Sequence, residues 1–355
     1  MRAKKTVDLN AIKANYENVK ALAGGRRVMC VLKADAYGHG AVRVAEFLRS
    51  KGGYAVATVD EAMALKNAVP NDTEILILGK VEKCDIPDCV NNGVSVTVDN
   101  IAELTYCNEI AERMHKEANV HIAVNTGMNR IGVKWSEPPT LIKAAKTLGS
   151  VKLKGVYSHI YSRESALLQN KRFNSYLSGD KEKNYLTHLA ATQTLCDENI
   201  GCDMVRVGIG LYGYGLKNAF PAMGVKCRVL SVNRLIAGDI VGYDGRYIAK
   251  KEEFSATLSI GYADGLMRSY TGGEVIIGGK KRKIIGNVCM DMCFALVDEK
   301  VHVGDEAVII GAMGDKQITA EDVALKANTI PYEVLTSFKR METEYIAGGH
   351  SVFLS

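Results

Sequence analysis

The chain reads as an α/β protein, a (β/α)8 barrel of the TIM type followed by a smaller, mostly β domain. Three observations carry that reading. Over the first ~215 residues, short apolar runs alternate with amphipathic stretches. The runs number about eight and recur every ~20 to 35 residues, the rhythm of repeated βα units. Beyond residue 222 the texture changes to short alternating segments punctuated by Gly and Asp. With 355 residues the chain exceeds one ordinary domain, and it suits a barrel of ~250 residues with a smaller partner. The expected division is 1–222 for the barrel domain and 223–355 for the β domain.

In order, the candidate barrel strands are Val28–Leu32, Tyr54–Thr58, Glu74–Leu78, Val94–Val98, Val120–Val124, Leu153–Ser158, Tyr185–Leu189 and Met204–Val207. Helical spacing fills the gaps, as in Asn10–Ala23, Ala41–Ser50, Val59–Ala68, Asn100–Glu117 and Glu137–Leu148. A doubly wound open sheet is the alternative. It would show fewer strands and a G-x-G-x-x-G turn after the first, whereas this first strand runs into Lys33-Ala-Asp-Ala-Tyr-Gly-His-Gly40. In the second part, Val225–Leu235, Phe254–Ile260, Glu274–Ile277, Phe294–Val297 and Glu306–Ile310 read as strands, and Lys5–Leu9 is a candidate to pair with them.

Composition narrows the function classes. A formal net charge of +5, with bases scattered among acids, gives no nucleic-acid footprint. The run Lys280, Lys281, Arg282, Lys283 reads as a solvated turn. Nine cysteines lack the regular spacing of a disulfide framework, and Cys289-x-x-x-Cys293 has no matching metal pair downstream. No signal peptide or membrane-length apolar run is present, so a cytoplasmic protein with no membrane span is expected.

Barrel enzymes carry their working groups at the carboxyl ends of the strands. Lys33 follows the first candidate strand, and Arg130 comes shortly after the fifth. His159 ends the sixth, Thr192 follows the seventh, and Arg206 sits on the eighth, before Gly208-Ile-Gly-Leu-Tyr-Gly213. A lysine, two arginines and a histidine at one mouth suit a phosphate-bearing carbonyl cofactor and a carboxylate substrate.

Val31-Leu-Lys-Ala-Asp-Ala-Tyr-Gly-His-Gly40 closely resembles the cofactor-lysine signature of the alanine racemase family. The resemblance continues in order through Asn125–Gly132, Ser158-His159, Val205–Gly213, Val241-Gly-Tyr-Asp-Gly-Arg-Tyr247, Ser259–Gly265, Gly286–Asp291 and Asn328–Val334. It implies racemisation of a small amino acid, L-alanine to D-alanine for peptidoglycan, by a head-to-tail homodimer. Pyridoxal 5'-phosphate would be carried by Lys33, which would serve one face of the substrate, and Tyr243 from the partner subunit would serve the other. His159 and Arg206 resemble the supporting pair, with Arg206 also donating to the pyridine nitrogen. The resemblance assigns the phosphate to Tyr37, Thr192, Tyr332 and the N–H groups of Gly208 and Ile209. It assigns the substrate carboxylate to Arg130 and the Met290 N–H, with Tyr262 and Tyr332 narrowing the entrance.

Several positions depart from the family pattern. Ala123 stands where many members carry a carbamylated lysine that props the arginine, and Asn125 replaces an aspartate. Ala191 replaces an asparagine, Thr192 a serine, Asn287 an arginine and Glu164 an aspartate. These changes leave serine racemases of the vancomycin-resistance type, or a broad-specificity racemase, as alternatives. Carrier proteins that hold the cofactor without catalysis lack the second domain. Decarboxylases of this fold carry a carboxylate in place of Arg206.

Overall fold

The structure is a computed structural model that describes residues 2–177, 180, 182–348 and 350–353. The chain forms two compact units. One comprises Ile12–Ala36 and Gly40–Phe220; the other comprises Met1–Ala11, Tyr37–His39 and Pro221–Ser355.

With strands numbered along the chain, β1 (Lys4–Asp8) belongs to the second unit. The first is built on β2 (Arg27–Val31), β3 (Tyr54–Val56), β4 (Ile75–Ile77), β5 (Ser95–Val98) and β6 (Ala118–Asn125). It continues, past the two-residue β7 (Val133–Lys134), with β8 (Val151–Tyr157), β9 (Leu186–Ala191) and β10 (Met204–Val207). Every neighbouring pair is parallel, in the order β5-β4-β3-β2-β10-β9-β8-β6, and the pairing of Val96 with Val120 closes the ring. This is an eight-stranded parallel TIM-type barrel, with a strand at each of the eight expected runs. Its strands are nearly continuous apolar runs because helices cover the outer face while side chains fill the inner one. Local chemistry starts the helices. Thr58 and Glu61 form a reciprocal capping box on Val59–Lys66, and Asn100 caps Ile101–Arg113, satisfying N–H groups that lack partners within the helix.

The second unit adds β11 (Met223–Leu235), the small hairpin β12 (Ile240–Val241) and β13 (Tyr247–Ile248), β14 (Glu253–Leu258), β15 (Glu274–Ile277), β16 (Lys280–Ile285), β17 (Cys293–Val297), β18 (Glu306–Met313), β19 (Lys316–Ile318), β20 (Glu342–Ala347) and β21 (His350–Phe353). The sheet order is β19-β18-β15-β16-β17-β14-β11-β1-β20-β21. β1 runs antiparallel to β11, with Lys4 opposite Lys226, and parallel to β20, with Lys4 opposite Glu342. The amino-terminal strand therefore completes the mostly β unit.

The basic run corrects one expectation. Lys280–Lys283 is not a turn but the first part of β16, paired with β15 from Ile277 opposite Lys280 to Glu274 opposite Lys283. The chain reverses just before it, at Gly278 and Gly279. The lysines remain solvated, whereas Arg282 is half-buried and donates to Asp298 at 2.7 Å. The helices Ala320–Ala327 and Pro331–Ser337 and the strand β20 are not among the elements expected from sequence.

Candidate active site

Lys33 stands two residues beyond the end of β2, at the start of the short helix Lys33–Gly38. That helix is left-handed: Ala34, Asp35, Ala36 and Tyr37 have φ of 52°, 54°, 54° and 53°. Such a run costs an L-chain roughly 1–2 kcal/mol per residue, so its surroundings must hold it. Glu61 accepts from the Ala34 N–H at 2.6 Å and from the Ala57 N–H at 2.8 Å, tying the start of the turn to the first turn of the helix Val59–Lys66. The Asp35 carboxylate accepts from the Ala41 N–H at 2.7 Å. The Lys33 side chain is half-buried. Burial first, and then the positive charges of Arg130 and Arg206, depress its amine below the usual lysine range, against an opposing pull from Glu61.

Arg206 lies inside the barrel, 4% exposed. Its Nη1 donates to His188 Nδ1 at 2.6 Å and to the His188 carbonyl at 2.8 Å, while Nη2 donates to the Ser158 carbonyl at 2.7 Å. The Tyr157 ring packs against both groups, stacked on His188 with centroids 4.9 Å apart and 5.1 Å from the Arg206 guanidinium carbon. Burial lowers Arg206 to about 10, which leaves it a cation at neutral pH. His159, next along from Ser158, is driven down to about 3 by burial and by the charges of Arg206, Arg130 and Lys33, so its ring is neutral.

Arg130 is exposed and, among the described residues, makes no hydrogen bond or ion pair. Asn125 does not reach it. Its Oδ1 instead accepts from the N–H groups of Gly127 and Asn129, at 3.0 and 3.1 Å, and so shapes the turn that presents Arg130. Buried Ala123 borders a small cavity shared with Asn125, Met128, Arg130, Tyr157 and His159. Thr192 begins a short 3-10 turn after β9, and its hydroxyl accepts from the Gly210 N–H at 3.4 Å. Gly208 and Ile209 precede that glycine in the loop after β10. Lys33, Arg130, His159, Thr192, Arg206, Gly208 and Ile209 thus all belong to the barrel unit.

Tyr37, Tyr243, Tyr262, Met290 and Tyr332 belong to the second unit. There the rings of Tyr37 and Tyr332 lie 5.8 Å apart. Tyr243 is 70% exposed, and Met290 and Tyr262 are exposed as well. The Tyr262 and Met290 loops are laced together by Tyr262 N–H to the Cys289 carbonyl at 3.0 Å and Ala263 N–H to the Met290 carbonyl at 2.9 Å. Among the described residues no cluster of three or more His, Cys, Asp or Glu side chains could hold a metal ion.

Residues 7–215 match the alanine racemase N-terminal domain and residues 222–345 the alanine racemase C-terminal domain. The chain belongs to the alanine racemase family. It is an amino-acid racemase, an isomerase. Alanine racemase 2 of Caldanaerobacter subterraneus is 36% identical, over 94% of this chain and 92% of that protein. The solved alanine racemase of Clostridium difficile superposes with a TM-score of 0.90 at 29% identity, covering 99% of this chain and 97% of the other. A histidine racemase from Leuconostoc mesenteroides shares the fold, with a TM-score of 0.89 at 24% identity over 98% of each chain.

Three residues at this racemase's site were not singled out from sequence. His188 holds Arg206. Gln169, 1% exposed, donates through Nε2 to the His159 carbonyl at 2.9 Å and to Thr126 Oγ1 at 2.8 Å. Glu61 holds the backbone beside Lys33. Only His188 left a signal: a histidine inside an apolar strand that is to be buried on both faces must find a polar partner.

Proposed function

We propose that the protein interconverts the enantiomers of a small amino acid, L-alanine in the first place, with pyridoxal phosphate attached at Lys33. The observation that carries this reading is the pairing of a depressed Lys33 amine with two guanidiniums in distinct states. Arg206 is buried and held by His188 and the Ser158 carbonyl, whereas Arg130 is exposed and, among the described residues, makes no hydrogen bond or ion pair.

The donor set fits such a group. A lysine depressed by burial and positive neighbours offers a neutral amine to an aldehyde. Thr192 and the N–H groups of Gly208 and Ile209 suit a phosphate, and the hydroxyls of Tyr37 and Tyr332 are donors of the same kind. Arg206 suits the ring nitrogen, which a guanidinium leaves unprotonated because it does not readily give up its proton. When bound, the group draws electrons from the substrate's α-carbon and so makes its hydrogen acidic.

The chain's own residues then divide the work. Arg130 is the partner for the substrate carboxylate, with the Met290 N–H beside it. Lys33 Nζ exchanges a proton on one face of the α-carbon and Tyr243 Oη on the other. Neutral His159 serves as a hydrogen-bonding neighbour to the phenol rather than as a second charge. Tyr243, Tyr262 and Met290 are exposed, which supports a head-to-tail homodimer in which each copy's second unit completes the other's site. The product D-alanine would supply bacterial cell-wall precursors in the cytoplasm. Among the described residues no helix is long and apolar enough to cross a membrane.

The test is the rate of D-enantiomer formation from L-alanine and from L-serine, side by side with pyridoxal phosphate, in the wild type, K33A and Y243F. Faster alanine turnover, lost in both variants, is expected. Faster serine turnover would make this a serine racemase, and no racemisation of either would overturn the substrate assignment.

A further inference from the structure

Behind Arg206 runs a buried line of polar side chains that no step above requires. His188 Nε2 lies 2.9 Å from His121 Nδ1, and His121 Nε2 lies 3.5 Å from Glu74 Oε1. The last contact is too long for a well-formed hydrogen bond and close enough for the carboxylate's charge to act on the ring. His121 and His188 are 1% and 0% exposed. Room for their contact is made at Gly155 on β8. A Cβ there would stand 2.4 Å from His121 Nδ1, closer than real atoms approach, and 3.0 Å from His188 Nε2.

The proton positions along this line have no freedom. A guanidinium only donates, so His188 Nδ1, facing Arg206, must be bare. Burial, together with Arg206, keeps His188 neutral, and burial keeps His121 neutral against the pull of Glu74. The single proton of His188 is therefore on Nε2, directed at His121 Nδ1. The single proton of His121 is then on Nε2, directed at Glu74. Burial works to raise the Glu74 carboxyl, but His121, the Ser95 hydroxyl at 2.5 Å and Lys154 at 3.3 Å hold it ionised, at about 2.

We infer that Glu74 is a positioning residue for Arg206: through the fixed tautomers of His121 and His188 it keeps an acceptor facing the guanidinium. Without the carboxylate, only the Arg206 end of the line still favours these tautomers, and the buried Nε2–H of His121 faces no anion, which costs free energy. If that ring turned its proton to Nδ1, two N–H groups would face each other and His188 would lose the tautomer that accepts from Arg206. The inference rests on the assignment of Arg206 to the cofactor ring for its effect on rate, but the tautomers themselves do not depend on it.

The experiment is histidine side-chain 15N NMR on the full chain loaded with pyridoxal phosphate, alongside kcat and KM, for the wild type, Glu74→Leu and Glu74→Gln. In the wild type both rings should be neutral with the proton on Nε2 from about pH 6 to about pH 9. E74L should mix the His121 tautomers and lower kcat about tenfold or more with KM little changed. E74Q, whose amide oxygen still presents a partial negative charge to the His121 Nε2–H, should restore both, at least in part. A wild-type His188 that is cationic or carries its proton on Nδ1 overturns the inference even if E74L does not fold. So does an E74L protein with wild-type tautomers, or one with altered tautomers and wild-type kcat. If the wild type shows no racemisation, the catalytic reading has failed, and the spectra still decide the tautomers.

Discussion

Gln169 holds His159 by its backbone, donating from Nε2 to the His159 carbonyl at 2.9 Å. The same amide binds Thr126 Oγ1, and its oxygen accepts from the Tyr161 N–H at 3.1 Å and the Ser165 hydroxyl at 2.8 Å. One side chain thus ties together the strand ends on either side of Arg130 and His159. Gln169→Leu keeps the volume and strands these groups, so it should cost ~1–3 kcal/mol. The melting temperature should drop and kcat should fall with KM nearly constant, because His159 is displaced rather than Arg130, the residue proposed to hold the substrate carboxylate. Wild-type melting and turnover in this variant would mean that the amide's contacts are replaceable.

Acid should unfold the protein through its neutral histidines. His159 has its folded pKa at about 3, below the unfolded value of 6.5. Its share of stability is therefore fully present above pH 6.5 and is lost as pH falls from there toward 3, because the unfolded chain takes up the proton first. His121 and His188 are shifted in the same direction. Each group can contribute at most about 1.4 kcal/mol per pH unit. Urea midpoints between about pH 7 and pH 4.5 should fall with acidification, and His159→Asn should make the slope shallower by up to one proton. An unchanged slope in that variant would show that His159 titrates normally in the fold.

The barrel was legible because its strands are continuous apolar runs and its helices keep their period. Strand ends also led to Lys33, Arg130, His159 and Arg206, since those positions face the mouth. Reading only the last residues of each strand and those just beyond is what hid His188 and His121, which sit deeper within their strands and point at each other across Gly155. β16 was obscured because Lys280–Lys283 contains no apolar residue to mark a period of two; its buried residues, Ile284 and Ile285, come only at its end. The left-handed turn after Lys33 could not be read at all. Ala-Asp-Ala-Tyr has no residue with a preference for positive φ beyond the aspartate, and the contacts that impose it come from Glu61 and from the Asp35–Ala41 bond.

Gly261 should be intolerant of any side chain. A Cβ there would lie 2.3 Å from the Met290 carbonyl oxygen and 2.4 Å from that of Cys289. Those carbonyls accept from Ala263 and Tyr262, so even a methyl group must pry the two loops apart. Gly261→Ala should cost ~1–3 kcal/mol by overpacking. Since these loops carry Met290 and Tyr262, KM for the amino acid should rise more than kcat falls. Steady-state kinetics on the soluble variant decide it, and an unaltered KM would remove this loop pair from substrate binding.

The left-handed turn separates two substitutions at the exposed Ala34, whose φ is 52°. Ala34→Gly removes the ~1 kcal/mol cost of a Cβ at positive φ and adds a comparable loss of unfolded-chain entropy. Its melting temperature should stay within a degree or two of the wild type. Ala34→Val places a β-branched residue where such residues are true outliers, next to the lysine proposed to hold the cofactor. It should melt several degrees lower and should release pyridoxal phosphate more readily on dialysis, because Lys33 shares the strained turn and the Glu61 anchor. Retention of wild-type stability by the valine variant would mean that the turn adopts ordinary right-handed geometry in solution. The backbone beside Lys33 would then owe nothing to Glu61.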